Sequence, residues 1–148
     1  MCFFKYYNSD KHKIADKDII CYKSVYVNPE DDNPKEGWSI CAGFHYKVGE
    51  TYNEKTVLLD ELDRYQTLSD GVFHSYTRLD LRYLHGMVSH NEYYWFRRSI
   101  KRFKCVMECV IPAGTPYWEN LECQEYASTS IKVLRIMNPI KVLNGEER

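Results

Sequence analysis

Hydrophobic and polar positions follow strand-like spacing in the first and last thirds of the chain and helix-like spacing in between. Ile19 to Val27 reads IICYKSVYV, and its β-branched and aromatic residues predict a strand. The following Asn28-Pro29-Glu30-Asp31-Asp32-Asn33-Pro34 carries two prolines and three acids and predicts an exposed loop. Ile40 to Val48 alternates most cleanly. Ile40, Ala42, Phe44, Tyr46 and Val48 share one face, Cys41, His45 and Lys47 share the other, and Gly49 ends the strand in a turn. Residues 54–68 fit either a short strand at Thr56 to Leu59 or one helix through Tyr65. Ser69-Asp70-Gly71 is a turn signal, and Val72 to Tyr76 reads as a strand after it.

The spacing then changes. Thr77 precedes Asp80 by three residues in the manner of a capping box, and Leu81, Leu84 and Val88 predict a helix from Leu79 to Ser89. Gly86 weakens that helix by about 1 kcal/mol. Tyr93, Phe96, Ile100 and Phe103 fall on one helical face and predict a second helix with this stripe turned inward. Lys104 to Ile111 predicts a buried strand, followed by the turn Pro112-Ala113-Gly114-Thr115-Pro116. Ser130 to Met137 is a last strand, closed by Asn138-Pro139. The expected fold is α+β: a single domain over residues 1–148, mostly antiparallel sheet with two central helices. Residues 1–17 form a polar lead-in and 138–148 a C-terminal tail.

Composition narrows the function classes. The formal charge is −1, with 44% hydrophobic and 28% charged residues, which excludes a disordered tail, a collagen-like repeat and a basic nucleic-acid-coating protein. Tyrosine is in excess, at 13 against 6 phenylalanines and 3 tryptophans. Tyr22, Tyr26, Tyr46 and Tyr76 fall in predicted strands and Tyr93 in the helical stripe, leaving Tyr6, Tyr7, Tyr94, Tyr117 and Tyr126 as candidates for exposed contacts. The opening Met1-Cys2-Phe3-Phe4-Lys5 lacks the apolar core of a signal peptide, and no apolar run is long enough to span a membrane. A cytoplasmic chain with its six cysteines reduced is therefore expected.

Candidate chemistry is sparse. Cys105 and Cys109 have metal-like spacing, but within a strand they stand about 13 Å apart and cannot share an ion. No metal site and no cofactor are expected, and phosphate-cradling glycine loops and nucleophile elbows are absent from the sequence. Residues 93–104 carry five positive charges and no negative one. Aromatics there could stack bases while Arg97, Arg98, Lys101 and Arg102 meet phosphates, but the helical stripe favours a core helix over that nucleic-acid site. Ser128-Thr129-Ser130 after Glu125-Tyr126-Ala127 resembles one motif of arginine-specific ADP-ribosyltransferases. That resemblance implies a downstream Glu-x-Glu, whereas the only acids after Ser130 are the adjacent Glu146 and Glu147.

Several phrases in order are familiar: Asp18-Ile19-Ile20-Cys21-Tyr22-Lys23, Phe44-x-Tyr46-x-Val48-Gly49-x-x-Tyr52, Gly71-Val72-Phe73-His74-Ser75, Cys109-Val110-Ile111-Pro112-Ala113-Gly114-Thr115-x-Tyr117 and Tyr126-Ala127-Ser128-x-x-Ile131. Over residues 16–137 the chain resembles small proteins of gut Bacteroidetes and their phages, departing at 89–104 by what looks like an insertion. The resemblance implies a bacterial-host cytoplasmic or virion-associated setting and no catalytic residue. The expected function is a binding module that presents aromatic residues to a protein or small ligand through His45, His74, Tyr76, Tyr117, Trp118 and Tyr126. An alternative is a nucleotide-directed transferase or hydrolase in which His74, Ser75 and either Glu119 or Glu125 converge. A phage structural component is the third reading.

Overall fold

A computed structural model of the chain describes residues 12–40, 43–54, 72–97 and 102–146. Its secondary structure is mostly antiparallel β-sheet with two helices, an α+β composition. The residues divide into two compact units, each drawn from three separate stretches of chain.

Unit one comprises residues 1–22, 51–78 and 109–132. Its strands are β1 (Lys13–Ile14), the start of β2 (Ile19–Val27), β5 (Thr51–Asn53), β6 (Phe73–Tyr76), the end of β7 (Phe103–Ile111), β8 (Pro116–Asn120), β9 (Glu125–Ser128) and the start of β10 (Ser130–Met137). The hydrogen-bonded order runs β1-β8-β9-β6-β2, and β5 pairs antiparallel with β10. The β7–β8 turn is tied down twice: Ala113 N–H donates to Asp18 Oδ1 at 2.9 Å and Ala15 N–H to the Thr115 carbonyl at 3.0 Å. Gly114, at φ 85°, occupies the left-handed position this turn requires. The predicted polar lead-in thus contains a strand, β1, and a buried residue, Ala15.

Unit two comprises residues 23–50, 79–108 and 133–148. It holds the remainder of β2, β3 (Glu36–Ser39), β4 (His45–Lys47), α1 (Leu81–Phe96), the start of β7, the end of β10 and α2 (Pro139–Leu143). Strands β2, β3 and β4 form a meander, with Tyr26 opposite Trp38 and Trp38 opposite His45. Helix α1 packs on α2. A Ser24–Tyr83 hydroxyl contact and the insertion of Leu84 and Met87 into the core fix the helix face.

Five expectations are corrected. The strand predicted from Ile40 to Val48 begins only at His45, because Gly43 at φ 64° turns the chain back so that Ser39 N–H meets the Phe44 carbonyl. The missed partner is β3, whose Glu36-Gly37-Trp38-Ser39 lacks an alternating pattern. Asp80, rather than Thr77, caps α1, accepting from Arg82 N–H at 2.7 Å, and Leu81 is left exposed. Among the described residues the two helices are α1, which runs on through Tyr93 and Phe96, and α2, which follows the last strand, in place of two successive helices. Asn138 and Pro139 start α2 instead of merely closing a strand, because a proline at the first turn gives up no needed donor and Asn138 caps Ile140 N–H at 2.9 Å. The inward stripe is not formed either: Tyr93 and Phe96 are exposed, Phe103 belongs to β7, and Ile100 lies outside the described residues.

Other expectations are met. β2, β7 and β10 lie where the sequence puts them to within a residue, and the Asn28–Pro34 loop is largely exposed. Cys105 and Cys109 are buried in β7 and form no disulfide among the described residues. The 54–68 segment and the Ser69-Asp70-Gly71 turn fall outside the described residues, apart from Glu54.

Gly37 marks a close approach of β3 to β2 in unit two. A Cβ there would stand 3.0 Å from Val25 Cγ2 and 3.2 Å from the Tyr26 carbonyl oxygen, and the backbone atom cannot yield as a side chain would. Gly37→Ala is therefore expected to lower the unfolding free energy in urea by about 1–3 kcal/mol. An unchanged midpoint would show that β2 and β3 are free to move apart.

Candidate functional site

Strand geometry decides which candidate residues share a surface. Successive side chains point to opposite faces, while directly opposed residues of an antiparallel pair point the same way. In unit one, Ser75 stands opposite Tyr126 and Tyr126 opposite Glu119, while Phe73, Ser128 and Tyr117 form the adjoining row. The other face carries His74, Ala127 and Trp118 in one row and Tyr76, Glu125 and Asn120 in the next. His74 and Ser75 are therefore on opposite faces, Ser75 with Glu119 and His74 with Glu125. The convergence of histidine, serine and carboxylate required for the transferase or hydrolase alternative is not formed.

The six sequence-derived contact residues are likewise dispersed. Tyr117 and Tyr126 meet edge to face at 5.8 Å on the first face, beside the Lys13–Glu119 ion pair at 3.1 Å. Glu119 hydrogen-bonds the Lys13 ammonium and raises its pKa. Trp118 is 1% exposed and belongs to the core with Ala127, with His12 edge-on at 5.8 Å. His74 and Tyr76 are half-buried on that same face. His45 belongs to unit two, where it stacks on Trp38 at 4.8 Å and bonds Glu36 Oε2 at 3.0 Å.

A denser constellation lies at the C-terminal end of α1. Tyr93, Trp95 and Phe96 are 55%, 73% and 85% exposed, and Tyr94 is exposed beside them. Consecutive helical residues are about 100° apart, so these four side chains encircle the last turn as a collar. His90 and Tyr94 rings lie 4.5 Å apart, and His90 approaches Tyr26 of β2 at 6.3 Å. Cations surround the rings: Arg97 lies 5.3 Å over Tyr93, while Arg102 and Lys104 lie 5.6 and 5.8 Å over Tyr26. Among the described residues none of these three cations forms an ion pair with a carboxylate. Arg98 and Lys101, grouped with them in the sequence, lie outside the described residues.

This arrangement hangs on Asn91, which is 4% exposed on α1. Its side-chain amide donates to the Lys104 carbonyl at 3.0 Å, and its amide oxygen accepts Lys104 N–H at 2.9 Å. The asparagine acts as a strand partner for the first residues of β7, replacing a backbone neighbour. With its backbone so held, the Lys104 side chain rises half-buried beside Tyr26, and desolvation lowers its pKa. His90 is also shifted down, by burial first and by the Lys104 charge second.

Among the described residues, no cluster of His, Cys, Asp and Glu is arranged to hold a metal ion. No helix there is long and apolar enough to cross a membrane. Comparison with family models, curated proteins and solved structures gives no match to this chain.

Two measurements test this geometry. Asn91→Ala removes both bonds to a half-buried backbone and is expected to cost about 2 kcal/mol in urea unfolding. A loss below about 0.5 kcal/mol would show that solvent or another strand serves Lys104 equally well. The second concerns Tyr126, whose pKa is raised chiefly by burial and further by the charge of Glu119. Neutral Tyr126 is favoured in the folded chain, so its contribution to stability is complete below the ordinary phenol value and declines as pH rises through the elevated one. Ultraviolet titration of wild type minus Tyr126→Phe should therefore give a midpoint above 10.0. A midpoint at or below that value would mean the phenol is solvated.

Proposed function

We propose that this chain is a non-catalytic binding module whose recognition surface is the collar of α1 together with Tyr26, Arg97, Arg102 and Lys104, and whose partner is anionic. The observation that carries the reading is Lys104, a half-buried ammonium without a carboxylate partner among the described residues. A cation withdrawn from water is costly unless an opposite charge meets it. Cation–π contact with Tyr26 offsets part of that cost, about 0.5–2 kcal/mol. Arg102 crowds the same ring with a second positive charge, which an arriving anion would neutralise. Glu92 is the exposed acid on this stretch of helix, so the three cations outnumber it.

Net charge makes the test sharp. A chain of formal charge −1 has no global attraction for a polyanion, so retention must come from a local patch. The wild-type chain should bind immobilised heparin in low salt and elute with rising sodium chloride. An Arg102→Gln/Lys104→Gln double variant, folded by circular dichroism, should elute markedly earlier. Flow-through of wild type, or equal retention of the folded double variant, would defeat the proposal.

A further inference from the structure

Resting on the binding-module reading, we infer that the anionic partner is a single strand of nucleic acid, its phosphates meeting Arg97, Arg102 and Lys104 and its bases stacking on Tyr93, Trp95 and Phe96. Charge alone would be satisfied by any polyanion, so the aromatics make the distinction. Tyr93, Trp95 and Phe96 are among the most exposed large hydrophobic side chains of the described residues, and they are nearly consecutive. A helix that docks in a protein groove presents apolar residues at i, i+3, i+4 and i+7 along one face. Here Tyr93 to Phe96 point around a full turn, and no single flat groove can cover them. A flexible strand can, because successive unstacked bases rotate independently onto separate rings.

Cation placement agrees with this. Arg97 sits over Tyr93 and helps form the helix cap, its N–H meeting the Tyr93 carbonyl at 3.2 Å. Lys104 projects from the strand that Asn91 holds next to the helix, and Arg102 immediately precedes that strand. Positive groups therefore stand over Tyr93 at the helix end and over Tyr26, whose ring approaches the helix at His90, and a backbone running past bases stacked on the collar would meet them there. Base pairs in a duplex hide their faces from such rings, so single strands are the favoured form. Stacking is indifferent to base identity, and little sequence preference is expected.

The experiment is fluorescence anisotropy with labelled 20-nucleotide oligothymidine and oligouridine, a duplex of equal length and inorganic polyphosphate as competitor. Single strands should bind at least about tenfold more tightly than duplex, and Trp95→Ala/Phe96→Ala should weaken binding by about tenfold or more. Three phosphate contacts predict a slope of log affinity against log salt of about −2. Both substituted residues are exposed, so the variant should retain its wild-type thermal midpoint. If polyphosphate competes as well as oligonucleotide, or the folded aromatic variant binds oligonucleotide unchanged, the nucleic-acid inference is overturned while the anion-binding reading stands. If neither oligonucleotide nor heparin binds, both are overturned. Sedimentation supplies a further outcome. Self-association of wild type abolished by the aromatic variant, with no oligonucleotide bound, would assign the collar to a second copy of the chain and overturn the inference.

Discussion

The pairing of Asn91 with the backbone of Lys104 is the interaction on which the C-terminal end of α1 depends. A helix and a strand cannot share a backbone ladder, because the helix has spent its own amides internally. A primary amide is the one uncharged side chain group that can offer a donor and an acceptor in backbone-like geometry. By meeting both groups of Lys104, Asn91 sets where β7 begins and brings Arg102, Lys104, Tyr26 and His90 together. Burial at 4% exposure shields those two bonds from competition by water.

That constraint explains why one part of the sequence misleads. Tyr93, Phe96, Ile100 and Phe103 have regular helical spacing, and periodicity alone cannot tell a buried face from an exposed one. What the stripe omits is Asn91, a polar residue that sits inside while its aromatic neighbours sit outside. The segment turns over at this point: α1 buries Leu84, Met87 and Asn91, and by Phe96 no described face of it is covered. A polar residue in register with Leu84 and Met87 was the available signal.

Elsewhere the sequence was most legible where a strand is buried along most of its length. β7 and β10 are dense in buried Val, Ile, Met and Cys, so burial itself writes their boundaries. β3 escaped because the turn into β4 is made at Gly43, inside a run whose apolar spacing predicts one unbroken strand. The proposed convergence of His74 and Ser75 failed for a reason the sequence already contained: adjacent residues of a strand face apart. Dispersion of the six predicted contact residues over two faces and two units follows from register, which no composition encodes.

Interleaving of the two units has a consequence for how the chain comes into being. Lys13 must find Glu119, which is 106 residues away, and Asp18 must find Ala113 across 95. Unit one cannot be completed before its third segment exists, so during synthesis β1 waits unpaired for β8. At about 5–20 residues per second that interval lasts several seconds. The nascent chain thus shows the cell a strand edge that the folded chain pairs, and its need for protection is greatest before β8 has been made.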